Sequence, residues 1–542
     1  MEADPNTQLN CAEGHGTAVH TAIAVCGCGH DGRLGLGKCD SQSRVVLVPF
    51  FLPPAGSEVS PFGSIRAARV GAYHNFVITT TGVYCWGLNE NGQLGLGRGS
   101  PSCVTVPTRV PFFDEVTVLE ISCGAYHTFA WTSSGLFACG MNEDGQLGVP
   151  EESDHFSFTK VLSAAQIGGT PTAEGKDQNL TGPHNEDDGA CRLIKCGQLT
   201  HVSCGTYHTL IALRDVTVAS AGEDDSEEQQ HFPVLIAATG KGDFGALGFD
   251  GDAWSALKSK TKSMQAALQN ATHSGHVADV NALGTAEKRW KPLKQRRAAF
   301  STSQFRCVGL PVLLDRSGAA AGSASFEVES LHAMHLHSAV ILREVMPSQE
   351  LLSTDTAKLK TFHWGCYYCN EVEDDASSVP REERSGDILH AGNEILFRYS
   401  PSSLPAAVEV KGTGVLGLGE ENSHVTSWAQ LPLPSGGHDG CSVRTVTGRE
   451  HFLIQLGNLV VFGFGDNMHG QLAAGAVQDT LLSPTVVVRA GDELTSPACC
   501  PTAASADSWR VEHICDVRCG MRHSVFVLGV TPAPSKCCSD NV

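Results

Sequence analysis

Two kinds of stretch alternate along the chain. In the first, a histidine opens a run of β-branched, aromatic and aliphatic residues, as in His74-NFVIT, His127-TFAWT, His208-TLIAL, His451-FLIQL and His523-SVFVL. The run lasts about five residues, meets a turn, and gives way to a second β-rich run. Short apolar or alternating runs bounded by turn residues predict strands, and two in succession predict an antiparallel pair. The second kind of stretch follows each pair. It is rich in glycine, as in Trp86-Gly87-LNEN-Gly92-Gln93-Leu94-Gly95.

The glycine-rich stretch recurs. Its strong copies begin at Gly27, Gly87, Gly140, Gly240 and Gly465, each with four residues and then Gly-x-Leu. Weaker copies begin at Gly365 and Gly412, the latter with a shortened turn. The spacings are 60, 53, 100, 125, 47 and 53. The short ones set a period of about 50, in the range of repeat architectures. The long ones imply insertions. A phosphate-cradling loop would occur once, between a strand and a helix. Here the loop recurs and no helical period follows it, so the glycines predict turns and close backbone approach.

The histidines have their own frame. A small residue stands three positions before His74, His127, His208, His451 and His523, as in Gly71-AY-His74. Met334-HL-His337 lacks the glycine, and Asp387-IL-His390 is a degenerate copy. One histidine per repeat predicts a buried, hydrogen-bonded structural role rather than catalysis. No anchor glycine follows the last histidine strand, and none of these strands precedes Gly27. The last pair is therefore expected to complete its sheet with the strand near Ile23-Ala24-Val25.

The alternating signatures Gly-x-x-His-Thr/Ser and Trp-Gly-x-Asn-x-x-Gly-Gln-Leu-Gly resemble the regulator of chromosome condensation repeat. The best copies are Gly124 to Thr128 with Gly140 to Gly148, and Trp86 to Gly95. The resemblance spans about residues 20–530 and implies an all-β, seven-bladed propeller. Six blades is the alternative, since one blade rests on the 47-residue spacing between Gly365 and Gly412. Residues 1–19 and 531–542 are expected to be flexible ends.

Four segments break the period: 149–190, 220–231, 249–305 and 371–386. All are read as long blade loops or disordered excursions, either solvated or elaborating a binding face. Within the third, 253–270 has helical spacing. Beyond it lie Lys288, Arg289, Lys291, Lys294, Arg296 and Arg297. That basic patch reads either as a localisation signal or anionic contact, or as an ordinary solvated loop.

Composition narrows the classes. The chain has 542 residues with 41% hydrophobic, enough for a large core, and no apolar run long enough to span a membrane. The start, MEADPNTQLN, has no secretory pattern, and an odd count of 21 cysteines does not suggest a disulfide framework. An intracellular protein, cytoplasmic or nuclear, is expected. A net charge of −20 argues against direct nucleic-acid binding.

Candidate chemistry is sparse. Cys366 and Cys369 make half of a zinc-site spacing, and His513, Cys515, Cys519 and His523 cluster, but two of the latter belong to the repeat. No nucleophile elbow and no His-Glu-x-x-His helix occurs. Asn179 and Asn270 fit glycosylation acceptors by chance, and the tail from Lys536 carries a weak acylation pattern. No catalytic residue, metal or cofactor is assigned.

The expected function is a monomeric protein-interaction scaffold or adaptor that binds partner proteins through blade loops. The resemblance supplies an alternative, guanine-nucleotide exchange on a small GTPase such as Ran. It also supplies a third reading, substrate recognition in a ubiquitin ligase assembly. An acidic surface would suit a basic GTPase. The basic chromatin-binding tail of the founding family member has no counterpart in MEADPNTQLNCAEGHG.

Overall fold

A computed structural model describes residues 19–54, 60–163, 198–214, 234–242, 246–248, 302–308, 325–334, 337–345, 359–365, 377–382, 388–391, 395–400, 407–420, 423–433, 441–475, 479–497 and 508–533. Among them, strands dominate and the helices are three short 3-10 turns. They fall into two compact units, one drawn from 1–126 and 395–542, the other from 127–394.

The strands form seven antiparallel sheets, the blades of an all-β propeller. Six run in chain order, first strand to fourth. Their histidine strands and partners set the pattern: His74–Thr79 beside Val83–Leu88, His127–Thr132 beside Gly135–Gly140, and His208–Arg214 beside Val234–Gly240. His337–Val345 beside Leu359–Gly365, Ile395–Ser400 beside Ala407–Gly414, and His451–Leu456 beside Val460–Asp466 continue it. The sheet holding Ile395–Ser400 removes the six-blade alternative.

The seventh sheet joins the two ends of the described chain. His20–Gly27 pairs along its whole length with His523–Pro532, with Ile23 opposite Val527. Those two strands take the second and third places, and Gln42–Leu47 flanks them.

Burial follows position in the sheet. The second and third strands are covered on both faces, so His74–Thr79 and Val83–Leu88 are buried at every residue. Such strands read as unbroken apolar runs. The outer strand Cys103–Arg109 buries only Val104 and Pro107 and leaves Val106, Thr108 and Arg109 exposed. Each unit has its own core. Phe464, Phe452 and Phe397 pack together in the first, and Trp364, Phe362 and Phe326 in the second. Burying one such side chain stabilises by roughly 1.5–3 kcal/mol.

Three of the expected insertions contain strands. His155–Ser163 lies within 149–190, Thr302–Cys307 overlaps the end of 249–305, and Ser377–Glu382 lies within 371–386. Each is the fourth strand of its sheet. These edge strands carry neither histidine nor anchor glycine, and so had no motif to mark them. The expected helix at 253–270 and the basic run from Lys288 to Arg297 lie outside the described residues, as do Cys366, Cys369, Asn179, Asn270 and the tail from Lys536.

Candidate interaction face

The repeat motifs meet in one register. Each second-strand histidine stands opposite an anchor glycine: His74 with Gly87, His127 with Gly140, His208 with Gly240, His337 with Gly365, His451 with Gly465 and His523 with Gly27. In the remaining sheet Ile395 stands opposite Gly412. The degenerate copy at His390 is thus corrected: His390 lies on the first strand, Ile388–Ala391, and Ile395 occupies the histidine's place.

Close approach explains the anchor glycine. At Gly87 the backbone has φ +112°, and a Cβ would stand 2.5 Å from the Tyr73 carbonyl oxygen and 2.8 Å from His74 Cα. The glycine three residues before the histidine has a different cause. A Cβ on Gly71 would stand 2.8 Å from His74 Cε1, and the same clash recurs at Gly205, Gly448 and Gly520.

The histidines tie sheet to sheet. His127 Nε2 lies 2.9 Å from Thr209 Oγ1, His208 Nε2 2.9 Å from Ser338 Oγ, His451 Nε2 3.2 Å from Ser524 Oγ, and His523 Nε2 2.9 Å from Asn75 Oδ1. In each case the partner is the residue after the next histidine. Its other hydrogen bond fixes the direction. Thr209, Ser338 and Ser524 hydroxyls donate to the carbonyls of Gln146, Ala246 and Gln471, and the Asn75 amide donates to that of Arg33. A carbonyl only accepts, so the imidazole Nε2–H donates and the neutral ring satisfies the bond. Burial lowers the His74 pKa to about 3 and that of His451 to about 4, and holds His337 and His523 well below the usual imidazole value.

Those carbonyls belong to the middle residue of Gly-x-Leu. The residue before the next anchor glycine also reaches them. Trp86 Nε1 donates to Arg33 O at 3.0 Å and Trp364 Nε1 to Ala246 O at 2.9 Å. The glycine-rich turn is held from within as well. Asn89, Asn142 and Asn467 accept from the amides of Leu94, Leu147 and Leu472, while Gln93, Gln146 and Gln471 accept from Asn91, Asp144 and His469. The asparagines, the glutamines and the residue after each histidine stand in the repeat signatures, but the sequence did not give their partners. Their signal was recurrence at fixed offsets from the glycines and histidines.

The same geometry brings the Gly-x-x-His loops and the glycine-rich turns to one end of their sheets. In the first unit they build a continuous patch. The rings of Tyr73 and Tyr126 lie 5.1 Å apart, and the Tyr73 hydroxyl donates to Met521 Sδ at 2.9 Å. The Arg33 guanidinium stands 4.8 Å from the Tyr73 ring centroid. Arg522 Nη1 donates to His469 Nε2 at 3.3 Å, and the ring of His30 lies 6.4 Å from that of His469. Partial burial and the neighbouring Arg522 lower the His469 pKa, which keeps its Nε2 free to accept. Met468 is 70% exposed at the patch edge. In the second unit Lys241 stands over Tyr207 at 5.0 Å.

Nothing in this patch resembles a nucleophile–base pair. Among the described residues no three His, Cys, Asp or Glu side chains gather as metal ligands. His513 lies within the strand Ser508–Cys519, and His523 is engaged with Asn75.

Family profiles described as the regulator of chromosome condensation repeat match residues 82–131 and, in a second form, 65–93 and 118–146. The chain carries regulator of chromosome condensation repeats. The strongest copies are the two sheets built around His74 and His127. Among curated proteins, the chain is 35% identical to the ultraviolet-B receptor UVR8 of Arabidopsis thaliana over 28% of this chain and 32% of the receptor. It is 26% identical to the human probable E3 ubiquitin-protein ligase HERC6 over 42% of this chain and 19% of that protein. The chain thus spans a third or less of these relatives. Two solved structures share the fold over nearly the whole chain. Human WBSCR16 gives a TM-score of 0.54 at 18% identity, covering 94% of this chain and 98% of its own. Prp20p of Saccharomyces cerevisiae gives 0.54 at 15% identity, covering 95% and 92%. No described helix is long and apolar enough to cross a membrane.

Proposed function

We propose that this protein is a protein-interaction scaffold or adaptor, acting inside the cell, in the cytoplasm or nucleus, and engaging a partner protein through the patch around Tyr73. The supporting observation is the make-up of that patch. Tyr73, Tyr126, Met521, Met468 and Arg522 are the aromatic, methionine and arginine types that dominate binding hot spots, and they are set on loops held by rigid sheets. Their polar atoms are pre-positioned by Arg33 and His469, which reduces the ordering cost of binding.

A second reading is guanine-nucleotide exchange on a small GTPase. It is favoured by the likeness to Prp20p, which has been described with its binding to Gsp1p and to histones. Exchange needs no bond chemistry, only tighter binding of the nucleotide-free state. A third, ligase-linked role draws on the likeness to HERC6 and rests on a small share of that protein.

Release of a fluorescent guanine nucleotide from Ran and a panel of small GTPases separates the first two readings. The scaffold reading expects no acceleration at substoichiometric protein. Acceleration lost in Arg522→Glu would make the patch an exchange site and overturn the scaffold reading.

A further inference from the structure

Two cysteines on the first unit sit where the repeat has no need of them. Cys39 follows the glycine-rich turn of the seventh sheet, and Cys103 opens the outer strand Cys103–Arg109 of the neighbouring sheet. Among the described cysteines Cys39 is the exposed one, and Cys103 is half-buried. Both are free thiols.

The segment leading to Cys39 lies against the strand that carries Cys103. The Gly37 amide donates to the Thr105 carbonyl at 2.8 Å. That bond packs the turn leading to Cys39 against the strand that Cys103 opens. Their side chains are hydrogen-bonded to each other. Cys103 is itself fixed by pairing with Leu88 in its own sheet. A disulfide needs Cα atoms about 4.4–6.8 Å apart, a separation within reach of two cysteines whose side chains already interact.

We propose that Cys39 and Cys103 form a redox modification site that a hydroperoxide closes into a reversible disulfide, stapling the two sheets. Exposed Cys39 reacts first. Its thiolate sulfur attacks one peroxide oxygen, the O–O bond breaks, and hydroxide leaves, giving the Cys39 sulfenic acid. The Cys103 thiolate then attacks the Cys39 sulfur and expels the second hydroxide. Two thiols and one hydrogen peroxide thus become one disulfide and two waters; sulfur is oxidised and peroxide reduced. Partial burial and the neighbouring Cys39 and Asp31 raise the Cys103 pKa to about 11, so the second step quickens as pH rises. The staple would fix the turn carrying His30, Asp31 and Arg33, which borders the patch around Tyr73, but the site does not depend on what that patch binds.

The test is oxidation of the native, reduced full chain with hydrogen peroxide at pH 7 and pH 8.5. Alkylation of the remaining thiols and digestion without reduction then read the linkages by mass. The expected result is a Cys39–Cys103 cross-linked peptide, lighter by two hydrogens than the two thiol peptides and reversed by dithiothreitol. It should form faster at pH 8.5. Cys103→Ser should trap Cys39 as a dimedone-reactive sulfenic acid at about tenfold the wild-type level, since a neighbouring thiol outcompetes reagents in solution. Serine is close in size to the half-buried Cys103 it replaces, so the variant should melt as wild type does. Full alkylation of both thiols in oxidised wild type would overturn the proposal. So would equal linkage of Cys39 to several other cysteines, or the same sulfenic-acid level in wild type and Cys103→Ser.

Discussion

Two positions show how a single residue is chosen by its neighbour. The anchor glycine of each repeat sits against the backbone before the histidine strand. Gly87→Ala would force a side chain into φ +112° and a 2.5 Å contact with a carbonyl oxygen. It is expected to destabilise the first unit by about 3 kcal/mol, the scale of local backbone strain plus a clash that cannot relax. Urea unfolding followed by far-UV circular dichroism measures this. The glycine that ends Gly-x-Leu-Gly behaves differently. Gly35, Gly248 and Gly417 have φ near +70° and lie against the rings of Trp86, Trp364 and Phe464. At the corresponding place in the last such turn stands Ala473, at φ +52°. Its neighbour before the anchor glycine is Cys26, much smaller than tryptophan, and so there is room for a methyl group. The strain remains. Ala473→Gly is expected to stabilise by about 0.5–1 kcal/mol, the left-handed penalty less the added freedom of the unfolded chain. Unchanged or lowered stability in the same titration would contradict this.

The strand that joins the two ends of the described chain governs one whole sheet. His20–Gly27 satisfies the inner edge of His523–Pro532 and buries Ile23, Ala24 and Val25. Deleting residues 1–27 would expose that edge and open the core around Phe526 and Leu528. The truncated protein is expected to lose the cooperative melt of the first unit and to aggregate on size-exclusion chromatography. A monomer melting at the wild-type temperature would contradict the role given to this strand. This pairing was legible in the sequence because both partners belong to the central strands, where coverage on two faces demands continuous apolar runs. The outer strands were not. Ser377–Glu382 is drawn from EVEDDASSVPREERSG, a segment read as loop because its charges suit a solvent edge. Ile395 was missed for the opposite reason: it keeps the histidine's place in the register without the histidine, and nearby His390 supplied a false match. The patch around Tyr73 was hidden more deeply. Met521 and Arg33 stand at opposite ends of the sequence although they share one sheet, His469 belongs to another, and only the shared end of the sheets brings them together.

For the molecule as a whole, the buried histidines make stability depend on acid. His74, His451 and His523 in the first unit and His337 in the second remain neutral when folded, to about pH 3 for His74 and about pH 4 for His451. The unfolded chain takes up these protons near pH 6.5. Above pH 6.5 neither state binds them and the histidines contribute no pH dependence. As pH falls from about 6.5 towards 4 the unfolded state gains protons that the folded state refuses. Each such histidine then removes about 1.4 kcal/mol of stability per pH unit. Melting temperatures are therefore expected to fall steeply across this window. His451→Gln should flatten part of the slope, which separates the imidazoles from the carboxylates. The proposed function belongs to this scale too, because the loops of several sheets must be held together for one patch to exist. The most direct measurement is quantitative affinity capture with full-length protein, comparing wild type with the double variant Met468→Asp, Arg522→Glu, after matched melting curves confirm that both are folded. The account predicts a defined set of proteins retained by wild type and depleted at least about tenfold by the variant, since hot-spot truncation costs 2 kcal/mol or more. Identical capture by the two proteins would contradict the assignment of this face as the binding surface.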